Sequence, residues 1–123
     1  MEQKILEIEG DNKIPHVLFN PNGKLLIEGR AIPERPERLF SKINEWIENA
    51  EMNEVEFTIR MEYFNTIVSK NFAIMFQKMM ENEKIGKINV SWFYEEGDED
   101  CYDSGLMYKD KFEEINFEFF VFQ

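Results

Sequence analysis

Hydrophobic and polar residues alternate along several short segments of the chain, and a spacing of two predicts β-strands. The clearest segment is Val55–Tyr63, in which the apolar positions are Val55, Phe57, Ile59, Met61 and Tyr63. Further strands are predicted at Lys4–Glu9, His16–Phe19, Lys24–Glu28, Lys87–Tyr94 and Ile115–Phe122. Because Asn20–Gly23 is a dense turn signal, the second and third strands are expected to form a hairpin that spans His16–Gly29.

Apolar residues at steps of three and four predict three helices between the later strands. The first helix follows Pro33–Pro36, and its apolar stripe consists of Leu39, Phe40, Ile43, Trp46, Ile47 and Ala50. The second is predicted over Val68–Lys84, with Gly86 as its terminator. A third, weakly amphipathic helix is predicted over Glu99–Asp110, after the acidic loop Glu95–Asp100.

The predicted elements follow the order strands, helix, strand, helix, strand, helix, strand. This order predicts an α/β (α+β) fold in which the strands joined by the later helices pair parallel. The Val55–Tyr63 strand is apolar on one face only, whereas a sheet covered on both faces has nearly continuous apolar strands. We therefore expect a single mixed β-sheet of about five to six strands, with helices mainly on one face. The length of 123 residues suits one domain spanning residues 1–123.

The chain carries 25 acidic and 14 basic residues, for a formal net charge of −11. A field of this sign repels phosphate backbones and anionic membranes, so neither nucleic acid nor a membrane is an expected partner. A basic protein partner would suit the charge, and solubility alone is the other interpretation. The single cysteine, Cys101, rules out an intramolecular disulfide and, with the absence of a signal-peptide pattern, favours a cytoplasmic location.

Residues for catalysis are scarce. His16 is the sole histidine and lies far in sequence from Cys101, no phosphate-cradling glycine loop is present, and the Cys and His count excludes a zinc site. We predict no catalytic residues, no metal and no cofactor. The acidic loop Glu95–Asp103 lacks the spacing of a calcium loop. A small enzyme or ligand-binding domain with a pocket near this loop is nevertheless the first alternative function, and a stand-alone dimerisation domain is the second.

The most informative position is Asn65-Thr66, where the spacing of two changes to the spacing of a helix. A side chain there lies at a helix N-terminus, where free backbone N–H groups and the helix dipole favour an anion. Two interpretations are open. Asn65 or Thr66 is an ordinary N-cap, or the Thr66 hydroxyl carries a phosphate.

At this corner the sequence Tyr63–Lys70 resembles the SiaC family of bacterial regulatory phosphoproteins, which carries a Tyr-Phe-Asn-Thr-Ser-Ser-Ser-Lys-like motif between a strand and a helix. Trp92–Asp100, followed by Gly105, is similar to the family's aromatic strand and acidic helix start. A weaker match consists of Gly23, Glu28-Gly29, Pro33-Glu34 and Trp46. The chain departs from the motif at Ile67 and Val68, which replace hydroxyl residues and leave Ser69.

The resemblance implies a non-enzymatic switch with a fold similar to anti-sigma-factor antagonist domains. In the family, a histidine-kinase-like Ser/Thr kinase phosphorylates the threonine that corresponds to Thr66, and a PP2C-type phosphatase removes the phosphate. The unphosphorylated form binds an effector, which is a diguanylate cyclase in the characterised system. Ser69 is the alternative phosphorylation site. The expected partner-binding residues are Phe64, Asn65, Ile67, Val68 and Lys70, with core packing as the second interpretation of Phe64, Ile67 and Val68.

Overall fold

The computed structural model describes residues 3–122. Six strands and three helices follow one another as β1 (Leu6–Ile8), β2 (His16–Phe19), β3 (Lys24–Ala31), α1 (Pro36–Glu48), β4 (Met52–Phe64), α2 (Thr66–Glu81), β5 (Ile85–Glu95), α3 (Glu99–Lys111) and β6 (Asn116–Phe122). Every predicted element is present, with its ends shifted by a few residues. The strands form one six-stranded sheet whose spatial order is the chain order, from β1 to β6.

The sheet is mixed. β1, β2 and β3 pair antiparallel, and the predicted hairpin turns at Gly23, which has a φ of +104°. β3, β4, β5 and β6 pair parallel, and each parallel pair is joined through one helix. Right-handed crossovers that all advance in the same direction place their helices on one face of the sheet. The predicted α+β fold with a single mixed sheet is confirmed.

One face of the sheet forms the core with the helices. Ring contacts from every helix join the two layers, among them Trp46–Phe19 at 5.3 Å, Phe76–Phe57 at 6.3 Å and Tyr108–Trp92 at 5.5 Å between centroids. The other face, called the open face below, carries Thr58, Arg60 and their cross-strand neighbours, and helices do not cover it. The alternation of apolar and polar residues in β4 therefore indicates that helices cover only one face of the sheet.

The predicted end of the second helix was wrong. α2 ends at Glu81, and Asn82 follows as its C-cap. The Asn82 side-chain amide donates to the carbonyl oxygens of Ile47 and Ala50 at 2.8 and 2.9 Å, which ties this end of α2 to the end of α1. Gly86 lies inside β5, where a Cβ atom would come within 2.1 Å of the Asn53 carbonyl oxygen. Close approach of two backbones, and not helix termination, explains this glycine.

The predicted burial of Tyr63 with the apolar face of its strand was also wrong. The pairing of β3 with β4 shifts near Gly29, so that Gly29 pairs with Met61 but Arg30 pairs with Tyr63. Glu62 is thus an extra residue, and a bulge of this kind changes the face that later side chains occupy. Tyr63 is 50% exposed, and the Arg30 guanidinium lies 5.6 Å from its ring centroid.

Within residues 3–122, none of the helices combines the length and the apolar character that a membrane crossing requires.

Candidate functional site

The junction of β4 and α2 has the geometry of a capped helix start. Asn65 is the N-cap, with extended backbone angles, and its Oδ1 accepts a hydrogen bond from the Val68 N–H at 2.9 Å. Thr66 is the first residue of the helix, and its side chain is exposed. The predicted position of Thr66 at the helix N-terminus is confirmed, and the structure shows that its side chain is accessible. Because Asn65 supplies the cap, the Thr66 hydroxyl is not needed for that purpose.

An open hollow of about 410 Å³ lies beside Thr66. Its first wall is the β4–α2 junction, and its second wall is the start of α3, whose N-cap Asp98 accepts a hydrogen bond from the Cys101 N–H at 3.1 Å. The hollow is lined by Met61, Glu62, Tyr63, Phe64, Asn65, Thr66, Ser69, Asp98, Asp100, Cys101, Asp103 and Ser104. Four carboxylates and no basic side chain belong to this lining. Two helix N-termini therefore meet at a negatively charged depression.

Ser69 and Tyr108 tie the two helices together below the hollow. The Tyr108 hydroxyl donates to the Ser69 carbonyl oxygen at 2.7 Å, and it lies 2.9 Å from the Ser69 Oγ. Tyr108 is completely buried, whereas Ser69 is half-buried. The Ser69 hydroxyl is thus engaged in packing, and a phosphate there would break the contact between α2 and α3. Its geometry suits a structural role better than that of an accessible phosphorylation site.

Replacing Tyr108 by Phe tests this tie through the pH dependence of stability. Burial raises the pKa of Tyr108 from 10 to about 12. The folded protein therefore favours the neutral phenol, and this stabilisation is complete below pH 10 and is lost as the pH rises towards 12. We expect Tyr108→Phe to lower the free energy of unfolding by about 1–3 kcal/mol at neutral pH, because the carbonyl oxygen and the hydroxyl of the half-buried Ser69 lose a hydrogen-bond partner.

The same variant should lose less stability than the parent between pH 10 and 12, as measured by urea denaturation at each pH. Cys101, whose pKa burial also raises, is present in both proteins, so the difference between the two curves gives the contribution of the Tyr108 hydroxyl together with its charge coupling to Cys101. Parallel pH curves for the two proteins would contradict the role assigned to the Tyr108 hydroxyl.

The predicted partner-binding residues differ in their exposure. Ile67 is 55% exposed and Lys70 is exposed, whereas Asn65 and Phe64 are half-buried. The Phe64 ring packs 5.4 Å from Phe72 and 6.0 Å from Trp92 between centroids.

Val68 requires a correction, because its side chain is completely buried in the core. It lies one helical position beyond Ile67, on the face that α2 turns towards the sheet, and so it cannot present its side chain to a partner. Tyr63, which the bulge exposes, replaces it as an apolar side chain at the corner. The sequence offered no direct signal for Tyr63, because the bulge depends on the pairing with β3.

The two residues considered for nucleophilic chemistry lie apart. Burial raises the pKa of the Cys101 thiol to about 12, so the thiol is protonated at neutral pH, whereas catalysis requires the thiolate. His16 lies on β2 beside Glu28, with 3.2 Å between its Nδ1 and the carboxylate, and it lines a different hollow, on the open face. Across residues 3–122, three or more His, Cys, Asp or Glu side chains do not come together in a metal-binding arrangement.

The acidic loop borders the hollow beside Thr66 and a second depression of about 420 Å³ that includes Tyr94, Gly97 and Tyr102. Asp98 caps α3, and Glu99 and Asp100 lie in its first turn, where negative side chains are favoured by the helix dipole. Capping and the helix dipole therefore explain these three acidic residues of the loop.

Three comparisons bear on this arrangement. The family profile described as SiaC family regulatory phosphoprotein matches residues 8–122. The fold is similar to SiaC of Pseudomonas aeruginosa, with a TM-score of 0.78 and 16% identity over 97% of this chain and 99% of that one. It is also similar to a chain in the solved complex of the diguanylate cyclase SiaD with its activator SiaC from the same organism, with a TM-score of 0.78 and 18% identity over 95% and 99% of the two chains. A search of curated proteins finds no significant match.

Proposed function

Because the chain belongs to the SiaC family of regulatory phosphoproteins, we propose that it is a non-enzymatic switch, a single regulatory domain that acts by binding another protein. Thr66 is the residue whose phosphorylation controls this binding. A Ser/Thr kinase of the histidine-kinase-like type adds the phosphate, and a PP2C-type phosphatase removes it. The unphosphorylated form is the one that binds the effector.

The observation that carries the proposal is the position of Thr66 at the first residue of α2, exposed and next to a cap that another residue supplies. A kinase can reach this hydroxyl, and the modification leaves the hydrogen bond from Val68 to Asn65 in place. The added dianion would lie at a helix N-terminus, which favours negative charge. The domain can therefore accept the phosphate without unfolding.

The effect of the phosphate on binding follows from its surroundings. Tyr63 and Ile67, at 50% and 55% exposure, flank the corner and offer apolar surface to an effector. Phosphorylation adds about −1.5 to −2 charges at neutral pH, and an apolar contact could cover that group only by stripping its water. The hollow beside the phosphate is lined by carboxylates, among them those of Glu62, Asp98 and Asp100, and its lining offers no compensating positive charge.

A diguanylate cyclase is the first effector to test, since the similar protein SiaC is solved as the activator in a complex with the cyclase SiaD. At 18% identity the likeness is one of fold, so the choice of effector is part of the proposal.

The proposal predicts the site of modification in cells. Protein purified from its native host should contain a population with one added phosphate on Thr66, measured by intact mass and by peptide fragmentation. Thr66→Ala should abolish the modification, whereas Ser69→Ala, the matched control three residues further along α2, should retain it. A phosphate found on Ser69, or modification that persists in Thr66→Ala, would overturn the assignment.

A further inference from the structure

The last strand, β6, forms one edge of the sheet. Its seven residues, Asn116–Phe122, pair with β5 on one side, and within residues 3–122 its other side has no neighbouring strand. An edge strand presents a row of backbone N–H and C=O groups that can pair with another chain. This edge is long enough to act as a template, whereas the opposite edge, β1, has only three residues.

Soluble proteins usually protect such an edge with lysine, proline, a bulge or a very short strand. β6 has the sequence Asn-Phe-Glu-Phe-Phe-Val-Phe, in which Glu118 is the only charged residue and lysine and proline are absent. Its pairing with β5 runs from Asn116 to Phe122 without a register shift, so a bulge does not interrupt it. Phe120 is 40% exposed and Val121 is 48% exposed.

Two aromatic side chains of this edge, Phe120 and Phe122, are held in place by their neighbours. Phe120 stacks on Phe93, with centroids 5.0 Å apart and planes 24° apart. Arg60 lies over the rings of Phe93 and Phe122 at 5.0 and 5.5 Å. An edge with ordered side chains loses little conformational entropy when another strand is added to it.

We infer that β6 is a self-association edge, at which two copies of the chain pair their β6 strands antiparallel about a two-fold axis through Phe119. This inference goes beyond the proposed function and does not depend on Thr66. The two sheets would join into one of twelve strands, twice the six of each copy. An interface of this kind is isologous, because the same surface is contributed by both copies.

The sequence of β6 is compatible with itself in this register. Across the axis, Asn116 faces Phe122, Phe117 faces Val121, Glu118 faces Phe120, and Phe119 faces its own copy. Glu118 thus meets an aromatic ring, whereas an axis at Glu118 would place two carboxylates opposite each other, which is unfavourable. Aromatic and β-branched cross-strand pairs of the kind formed here stabilise a sheet. The single charge of the strand therefore excludes the register centred on Glu118, and the register centred on Phe119, the middle residue of the strand, pairs all seven residues.

The net charge of −11 opposes association of two copies, and one strand pair buries less than the roughly 1,600 Å² of a standard interface. We therefore expect a dimer that dissociates on dilution. Sedimentation velocity of the full chain should show the 14.8 kDa monomer at low micromolar concentration and a species of twice that mass at submillimolar concentration. A monomer throughout this range would overturn the inference.

Val121→Lys places a charge on the edge at an exposed position, and it should weaken dimerisation at least tenfold. Ile74→Lys is the matched control, because Ile74 has the same 48% exposure but lies on α2, away from the edge. Both substitutions make the net charge less negative by one, so general repulsion between copies decreases in both. A dimer that Val121→Lys leaves unchanged, or that Ile74→Lys weakens equally, would place the interface elsewhere and overturn the inference.

Discussion

Thr66→Asp is expected to weaken binding to the effector, whereas Thr66→Ala should bind like the parent protein. Loss of one central contact costs about 2 kcal/mol, which is about thirtyfold in affinity. Asp carries less charge than a phosphate and lacks its three acceptor oxygens, so the phosphorylated protein should bind more weakly still than the Asp variant. Isothermal titration calorimetry against a diguanylate cyclase is the measurement.

Two controls separate binding from folding. Ile74→Asp adds one negative charge to α2 outside its first turn, at a position that is 48% exposed, and it should leave the affinity unchanged. Asn65→Ala removes the cap and should cost about 0.5–2 kcal/mol of stability, whereas Thr66→Ala should cost less, because Asn65 makes the capping hydrogen bond. If Thr66→Asp and phosphorylated protein both bind like the parent, Thr66 is only the first residue of a helix.

Trp92→Ala is expected to have the largest effect on stability. Trp92 is completely buried and contacts the three elements that surround the hollow, which are β4, α2 and α3. Its ring lies 6.0 Å from Phe64, 6.3 Å from Phe72 and 5.5 Å from Tyr108 between centroids, and its Nε1 donates to the Cys101 carbonyl oxygen at 3.0 Å. Removal of a buried Trp costs about 3–5 kcal/mol, a large part of the 5–15 kcal/mol that stabilises a typical domain.

Urea denaturation followed by circular dichroism would measure this loss of stability. The affinity of the folded variant for the effector would show whether the junction of β4 and α2 is also displaced. Trp92→Phe is the matched variant, because it keeps a ring in the core but removes the donor to Cys101. We expect it to lose about 1–3 kcal/mol, because the Cys101 carbonyl oxygen loses one buried hydrogen bond and the smaller ring leaves unfilled volume in the core. Equal stability of Trp92→Ala and the parent would contradict the central position assigned to this residue.

Most of the fold could be predicted from the sequence, because local patterns determine most of its elements. The alternation in Val55–Tyr63 predicted a strand, one buried face and, from it, helices on one side of the sheet. The errors occur where a distant segment decides the structure. The side occupied by Tyr63 depends on the register with β3, and Gly86 is required by the approach of Asn53, so neither could be predicted from local spacing.

The candidate site was predicted in part for the same reason. The change of spacing at Asn65-Thr66 predicted the helix start, but it could not decide which residue is the cap. The acidic segment Glu95–Asp103 was predicted separately, and only the crossover from β5 to β6 through α3 brings it beside Thr66 as the second wall of the hollow. The burial of Val68, by contrast, follows from the helical spacing of the sequence, because Val68 precedes the buried Phe72 by four residues on one face of α2.

The identity of strand order and chain order has a consequence for how the protein reaches its fold. Each strand pairs with the one that precedes it in the sequence, so no strand has to insert between two that are already paired. The hairpin of β2 and β3 forms from local contacts, and each following helix and strand can then dock on the growing edge as the chain leaves the ribosome. At every stage of synthesis the newly added strand is one of the two edges of the sheet, and within residues 3–122 β6 is the last strand to take that position.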